Sequence, residues 1–417
     1  MKSATQREEI GEHFQNPEPK ETSKPVFLVL SDFYLPGYKS GGGMRTLVNM
    51  VDRFGDDYDF WIVTRDHDGK TDKRPYAGVQ PNTWVQVRKS RVRYLTKDRI
   101  RISEIKRLIQ EVAPDCLLLN SYFSTLTVFA LLLRRFGSFK GMRIVIAPEG
   151  ELTDGGLELK KAKKRTFLKF ASAIDLYADV VWRTNSPIEK EEVARFKGTG
   201  GKIFVAPNMP PTALLPYFEA SLKRSKKVGR VRLVYLSRIH PKKNLIFLLE
   251  LLKDMPGDIQ LDVFGPIDAG ERYLERCTEM IGLLPANVRV TLKGGLEHSK
   301  VLETLLEHDF FVLPTLSENF GHVFIEALAA GCPILISDQT PWLNLETRGV
   351  GWDIPLADRD RWIEVLRKCV QMDAQEYSTL SGNARSFAVA WITSGEVERA
   401  NREVFRHVLR DRERQGV

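Results

Sequence analysis

The chain has 417 residues, 43% of them hydrophobic and 28% charged, with a formal net charge of +8. That length exceeds what one core accommodates and suits two domains. No uninterrupted apolar run reaches the roughly 18 residues a membrane helix needs; the nearest, Cys116–Leu133, is broken by Asn120, Ser121, Ser124, Thr125 and Thr127.

Met1–Lys24 is polar and has no apolar centre of the signal-peptide kind, so a disordered leader on a cytoplasmic protein is expected. Cys116, Cys277, Cys332 and Cys369 are scattered, without metal-ligand or disulfide spacing, which fits a reducing compartment. After the leader, strand-like apolar runs alternate with helical patterns, predicting an α/β fold of parallel sheets covered by helices. A first domain, residues 25–215, has strands expected at Val26–Ser31, Phe60–Thr64, Trp84–Val87, Cys116–Leu119, Arg143–Ala147, Val180–Trp182 and Ile203–Ala206. Pro210-Pro211 and a charged tract then break the alternation, giving a linker over 216–230. A second domain, residues 231–393, has strands expected at Val231–Leu236, Gln260–Phe264, Val288–Leu292, Phe310–Leu313 and Pro333–Ile336. The tail, 394–417, has helical spacing. Each set makes one doubly wound, Rossmann-like domain. Ligands of such sheets sit beyond the strands' carboxyl ends, so two facing domains would share a cleft.

Three stretches follow strands and carry chemistry. Ser31 to Gly43 ends in Gly41, Gly42 and Gly43, with Lys39 and Arg45 nearby; it is neither the dinucleotide fingerprint nor a Walker loop, and by itself is a weak signal. Arg238 and Lys243, in Ser237-Arg238-Ile239-His240-Pro241-Lys242-Lys243-Asn244, combine a bidentate fork with a compact cation, a pairing suited to two phosphates; Lys242 is an alternative to Lys243. Residues 317–334, SENFGHVFIEALAAGCPI, follow a short apolar strand with a loop and then a helix. The backbone N–H groups of Phe320, Gly321 and His322 at that helix start, beside Asn319, would suit an anion. Carboxylates repel a diphosphate, so Glu318 and Glu326 are expected to accept from hydroxyls of a sugar and a ribose.

The basic tracts Lys160–Lys169 and Lys223–Arg232 read as solvated faces, as attraction to a phosphate-bearing substrate, or as docking on an anionic membrane surface. They lack the aromatic interleaving of nucleic-acid platforms, so no nucleic-acid partner is expected. Asp66-His67-Asp68 and Asp358-Arg359-Asp360 are paired aspartates at a spacing that can hold a divalent metal. Arg238 and Lys243 already supply the charge a metal would, so no metal site and no cofactor are expected.

The Glu318-x7-Glu326 spacing with its Phe320-Gly321 turn, the continuation EALAAGCP, and the runs Ser337–Trp342 and Gly349–Trp352 resemble the retaining family 4 glycosyltransferases of the GT-B fold, a branch common among polysaccharide-building enzymes. The resemblance is strongest over the second half. It implies that Arg238 and Lys243 neutralise the leaving diphosphate, with Asn244 where the family has glycine. It implies that Gly41, Gly42 and Gly43 form a loop whose amides approach the donor phosphate, and that the terminal helix crosses back to brace the first domain. Glu149, where many members have arginine, and Asn120, near where many have histidine, fall in acceptor-side loops, and Asn208 matches a Pro-Asn turn. Glu318 and His322 are the remaining helpers for proton transfer. The implied activity moves a sugar from a nucleotide-sugar donor to a hydroxyl of a glycan or lipid-linked acceptor with retention, in surface polysaccharide or glycolipid assembly on the cytoplasmic side, with peripheral docking on the membrane's inner face as the reading that the basic tracts add. The alternative is a non-catalytic nucleotide-sugar-binding protein of the same architecture.

Overall fold

The computed structural model describes residues 24–37, 42–69, 74–137, 139–153, 161–196, 201–211, 214, 226–267 and 271–415. Leader residues 1–23, linker residues 216–225, Lys39, Gly41 and Lys160 lie outside the described residues. The chain divides into two compact units, residues 1–212 with 396–417, and residues 213–395.

The first unit is an eight-stranded sheet of β1 (Val26–Ser31), β2 (Asp59–Arg65), β3 (Trp84–Val87), β4 (Ser90–Leu95), β5 (Cys116–Asn120), β6 (Ile144–Ala147), β7 (Val181–Thr184) and β8 (Ile203–Val205), in the order β3-β4-β2-β1-β5-β6-β7-β8. Strand β1, VFLVLS, is an uninterrupted apolar run because helices cover both of its faces. It pairs in parallel with β2 on one side and β5 on the other, so the strand order reverses at β1. Such a reversal opens a crevice above the carboxyl ends.

The expectation of purely parallel sheets needs correction. Strand β4 was not anticipated, and it pairs antiparallel with β3. In its sequence, Ser-Arg-Val-Arg-Tyr-Leu, arginines alternate with apolar residues and face aromatic partners: the Arg91 guanidinium lies 4.6 Å from the Trp61 ring centroid and that of Arg93 5.7 Å from Trp84. Arg91 also donates to Asp59 at 2.6 Å. Charge here is held by cation–π and ionic contact rather than by solvent.

Three helices of this unit matter to the site: α1 (Gly42–Phe54), α2 (Lys161–Ala173) and α3 (Pro187–Ala194). The terminal helix, Glu396–Gln415, belongs to the same unit. Its Phe405 is fully buried in an aromatic cluster, with ring centroids 4.7 Å from Phe27, 5.3 Å from Tyr58 and 5.7 Å from Phe54. The Tyr58 and Phe54 contacts are edge-on, and such pairs each add about 1 kcal/mol beyond area burial.

The second unit is a parallel six-stranded sheet of β9 (Arg230–Leu236), β10 (Asp258–Phe264), β11 (Val288–Gly294), β12 (Phe310–Leu313), β13 (Ile334–Ser337) and β14 (Gly351–Ile354), in the order β11-β10-β9-β12-β13-β14. Strand β14 is a second addition to the expected set. Its Gly351 permits the close pairing, since a Cβ there would meet the Ile334 carbonyl oxygen at 2.0 Å. The order reverses between β9 and β12, which places the loop after β9 beside the loop after β12. All four cysteines are buried free thiols, and no helix among the described residues is long and apolar enough to cross a membrane.

Candidate functional site

In the second unit, the loop after β9 carries Arg238 and ends in a short 3-10 turn, Pro241–Lys243, before α4 (Leu245–Leu252). Asn244 joins the two at φ 58° and ψ 40°. That left-handed conformation costs most residues about 1 kcal/mol or more and is tolerated by glycine and asparagine. It explains why asparagine can stand at this position.

The loop after β12 is tied to that turn: Thr315 Oγ1 donates to the Lys242 carbonyl at 3.0 Å and the Leu316 amide to the same oxygen at 2.8 Å. The consequence is an ion pair between Lys243 and Glu318, whose other oxygen accepts from the Asn319 amide at 3.1 Å. Glu318 and Lys243, expected to serve sugar hydroxyl and phosphate separately, contact each other. Burial pushes the Glu318 carboxyl upward, but the Lys243 ammonium, by charge and hydrogen bond, outweighs it and holds the group below the usual carboxylate range. Arg238, five residues before Lys243 on the same loop, is half-buried. The Asn319 Nδ2 amide is buried without a hydrogen-bond partner among the described residues.

Helix α5 (His322–Ala329) starts from Gly321 at φ 78°. A Cβ at Gly321 would meet the Phe324 ring at 2.5 Å, so both conformation and space demand glycine. The first helical amide is that of His322. Phe320 turns inward, its ring 5.6 Å from Trp342 and its carbonyl accepting from Trp342 Nε1 at 2.5 Å, and so holds the loop from behind. Glu326, one turn into the helix, is buried, with His298 Nε2 at 3.2 Å from its Oε1. His298 was missed in the sequence because it lies on another element, 28 residues away.

In the first unit, a cavity of about 530 Å³ lies above the carboxyl ends of β1 and β5, lined among others by Asp32, Gly43, Asn120, Phe123, Glu149, Lys163, Lys164 and Phe167. Gly42 and Gly43, expected in a loop, are instead the first turn of α1. The correction has a simple origin: glycine is a poor helix former inside a helix, but the first turn needs no intrahelical donors. Asn120 Nδ2 donates to the Gly43 carbonyl at 3.2 Å and to Ser31 Oγ at 3.3 Å.

Glu149 has φ 51°, a left-handed backbone for a residue with a side chain. It enters a buried polar cluster that the sequence did not reveal. Arg183, fully buried, pairs with Glu149 at 3.4 Å and donates to Asn401 Oδ1 at 2.8 Å and Asn208 Oδ1 at 3.0 Å. Asn185 and Asn208 both donate to Glu149 Oε2 at 3.4 Å. Beneath it, Glu189 of α3 accepts from the amides of Gly150 and Asn185, each at 2.6 Å. Burial raises Glu149, with Arg183 opposing. Burial and then the nearby Glu149 charge push Glu189 up to about 7. A lone arginine inside an apolar strand, Trp182-Arg183-Thr184, was the available signal for this cluster. Of the Asp-His-Asp run, Asp66 Oδ1 sits 2.9 Å from His67 Nδ1, and among the described residues no three His, Cys, Asp or Glu side chains are grouped as metal ligands.

Residues 218–387 match the family model described as glycosyl transferases group 1. Solved structures align over nearly the whole chain: the Anabaena protein Alr3699/HepE in complex with UDP-glucose at TM-score 0.65, 15% identity and coverage of 92% of this chain and 99% of that one, and the sucrose-phosphate synthase of Thermosynechococcus elongatus at 0.69, 16%, 93% and 100%. The fold is GT-B. The second unit carries a glycosyl transferases group 1 domain within it. Among curated relatives, the D-inositol 3-phosphate glycosyltransferase of Nocardia farcinica is 31% identical over 116 residues, 26% of each chain. The phosphatidylinositol N-acetylglucosaminyltransferase GPI3 subunit of Saccharomyces cerevisiae is 28% identical over 119 residues, 28% of this chain and 25% of that one. The chain thus spans about a quarter of the length of the curated relatives it matches.

Proposed function

We propose that the protein is a glycosyltransferase that moves a sugar from a nucleotide-sugar donor to an acceptor hydroxyl with retention at the anomeric carbon. The observation that carries this reading is the junction of the β9 and β12 loops, where the sheet order reverses and Lys243, Glu318 and Asn319 come together, the β9 loop carrying Arg238 as well. When the donor's anomeric bond breaks, the sugar gains oxocarbenium-like charge and the diphosphate becomes a full anion. Cations fixed in a partly dry site stabilise that separation as it develops and need little reorganisation. Glu318 orients Lys243 and takes a sugar hydroxyl through its remaining acceptor capacity, Asn319 Nδ2 adds a donor, and Glu326 takes a ribose hydroxyl. The leaving phosphate can itself accept the proton of the attacking hydroxyl on the same face, which dispenses with a side-chain base.

The acceptor is assigned to the cavity over β1 and β5. Two of the relatives are named for acceptors built on inositol and phosphate, and a glycan or glycolipid acceptor in surface assembly, handled at the cytoplasmic side of a membrane, extends that to this chain. A panel of nucleotide sugars tests the donor half: a true donor at about 100 times its dissociation constant adds about 2.7 kcal/mol to stability and undergoes slow hydrolysis. If no nucleotide sugar shifts the melting temperature or is hydrolysed, the reading fails. NMR of the transferred sugar's anomeric proton decides retention.

A further inference from the structure

Helix α2 separates two recesses that share side chains. The first is the polar cavity over β1 and β5. The second is a shallower, apolar groove of about 490 Å³, lined by Ala162, Lys163, Thr166, Phe167 and Phe170. Lys163 and Phe167 border both. Residues 163, 166, 167 and 170 lie on one face of a helix, so the groove runs along that face. Phe167 and Leu168 lean on the core, whereas Phe170 remains half exposed, a large apolar ring presented to whatever fills the groove.

Charge in the polar cavity is arranged in the same sense. Each of its acids has an internal partner: Asp32 binds Arg65 at 3.0 Å, Glu149 binds Arg183, and Glu151 accepts from Ser121 Oγ and from the amides of Tyr122 and Phe123 at 2.7 to 3.1 Å. The cationic groups on its lining are Lys163 and Lys164, the latter's ammonium 4.6 Å from the Phe123 ring centroid. Lys163 also borders the groove, while Lys164 faces the polar cavity. In order, the surface offers hydroxyl-binding groups at Asn120 and Ser121, cationic charge at Lys163 and Lys164, then an apolar channel ending at Phe170.

We propose that the acceptor is an amphiphile in which a phosphate joins a hydroxyl-bearing head to an alkyl or isoprenyl chain: the head occupies the polar cavity, the phosphate meets Lys163 and Lys164, and the chain lies along α2 over Phe167 and Phe170. This rests on the glycosyltransferase reading but is tested without turnover. Isothermal titration of the full chain with farnesyl phosphate, below its aggregation threshold, gives one site bound at least tenfold more tightly than farnesol or inorganic phosphate. Lys163→Glu and Phe170→Asp, both at exposed positions, each weaken farnesyl phosphate at least tenfold while melting within a few degrees of the parent. Equal binding of farnesol and farnesyl phosphate, parental affinity in both variants, or association with anionic liposomes but never with the monomeric probe overturns the proposal. Nucleotide-sugar binding without farnesyl phosphate binding removes this inference alone, whereas farnesyl phosphate binding without any nucleotide-sugar binding supports the amphiphile site and removes the glycosyltransferase reading.

Discussion

Lys243 and Glu318 lie 75 residues apart in sequence and form an ion pair at the point where the second sheet reverses its strand order. The pair sets a lysine that is only 6% exposed directly against a carboxylate that it holds below the usual range. A buried charge without such a partner would shift toward neutrality or cost several kcal/mol.

Removing either cation should therefore be expensive for the reaction. Arg238→Ala and Lys243→Ala are expected to lower turnover by roughly two to three orders of magnitude, by analogy with loss of one oxyanion donor. Nucleoside diphosphate binding, measured by calorimetry, should weaken in step. Near-parental transfer in both variants would show that the diphosphate sits elsewhere.

Asn244 offers a test of conformation apart from charge. Its left-handed backbone makes Asn244→Gly close to neutral, within about 1 kcal/mol, while Asn244→Val should cost roughly 1–2 kcal/mol from the strained backbone. Urea unfolding midpoints measure the difference; equal costs for both changes would mean that side-chain contacts, not φ, hold the turn.

Much of this second site could be read from the chain because its parts are local. Arg238, Lys243 and Glu318 each follow an apolar run that did become a strand, and a strand followed by a loop points its residues to the carboxyl edge. What the chain does not display is which loops become neighbours. The Lys243–Glu318 contact depends on β12 pairing directly with β9, and the His298–Glu326 contact on a turn from a different crossover. The first unit was harder for the same reason. Glu149 finds Arg183 and Asn208 across 34 and 59 residues, and Arg183 in turn finds Asn401 across 218; strand β4, whose arginines alternate with Val92 and Tyr94, carries its charge on the face that meets Trp61 and Trp84.

That buried cluster should give stability a pH dependence. In the unfolded chain Glu189 titrates near 4.5, and in the folded chain burial raises it to about 7. The folded state therefore holds the proton more tightly, and stability is greatest below the unfolded value and declines as pH rises through the folded one. The loss between pH 4.5 and 7 is of order 3 kcal/mol for such a shift. The raised Glu149 acts in the same direction. Denaturation midpoints at pH 5 and pH 8 should show the fall, and Glu189→Gln should flatten it. A parent that gains stability over that interval would contradict the assignment.

Metal dependence is settled by chelation. With Arg238 and Lys243 offered as the neutralising charges, transferase activity is expected to survive excess EDTA. Complete loss, restored by manganese, would instead place a metal-bound donor in the mechanism and point back to Asp66 and Asp68.

Helix α2 also bears on where the protein works. Lys163, Arg165 and Lys169 are exposed along it, with Phe170 half exposed among them, while Phe167, Leu168 and Ala171 lie against the core; the placement of Lys160 and of the Lys161 side chain lies outside the described residues. The apolar side is thus divided, part spent on the first unit and part left outward beside the cations. A basic helix with one outward aromatic suits an anionic bilayer, where each basic residue near the surface adds about 1 kcal/mol and the aromatic reaches the interface. The protein is expected to co-sediment with anionic but not neutral liposomes at low salt, and the association should fade as salt screens it over roughly a Debye length. Converting Lys160, Lys161, Lys163 and Lys164 to glutamate should abolish sedimentation while nucleotide-sugar binding persists. Equal recovery with both liposome types, or undiminished recovery of the quadruple variant, would leave the exposed lysines as a solvated face and confine the role of α2 to the cavity it borders.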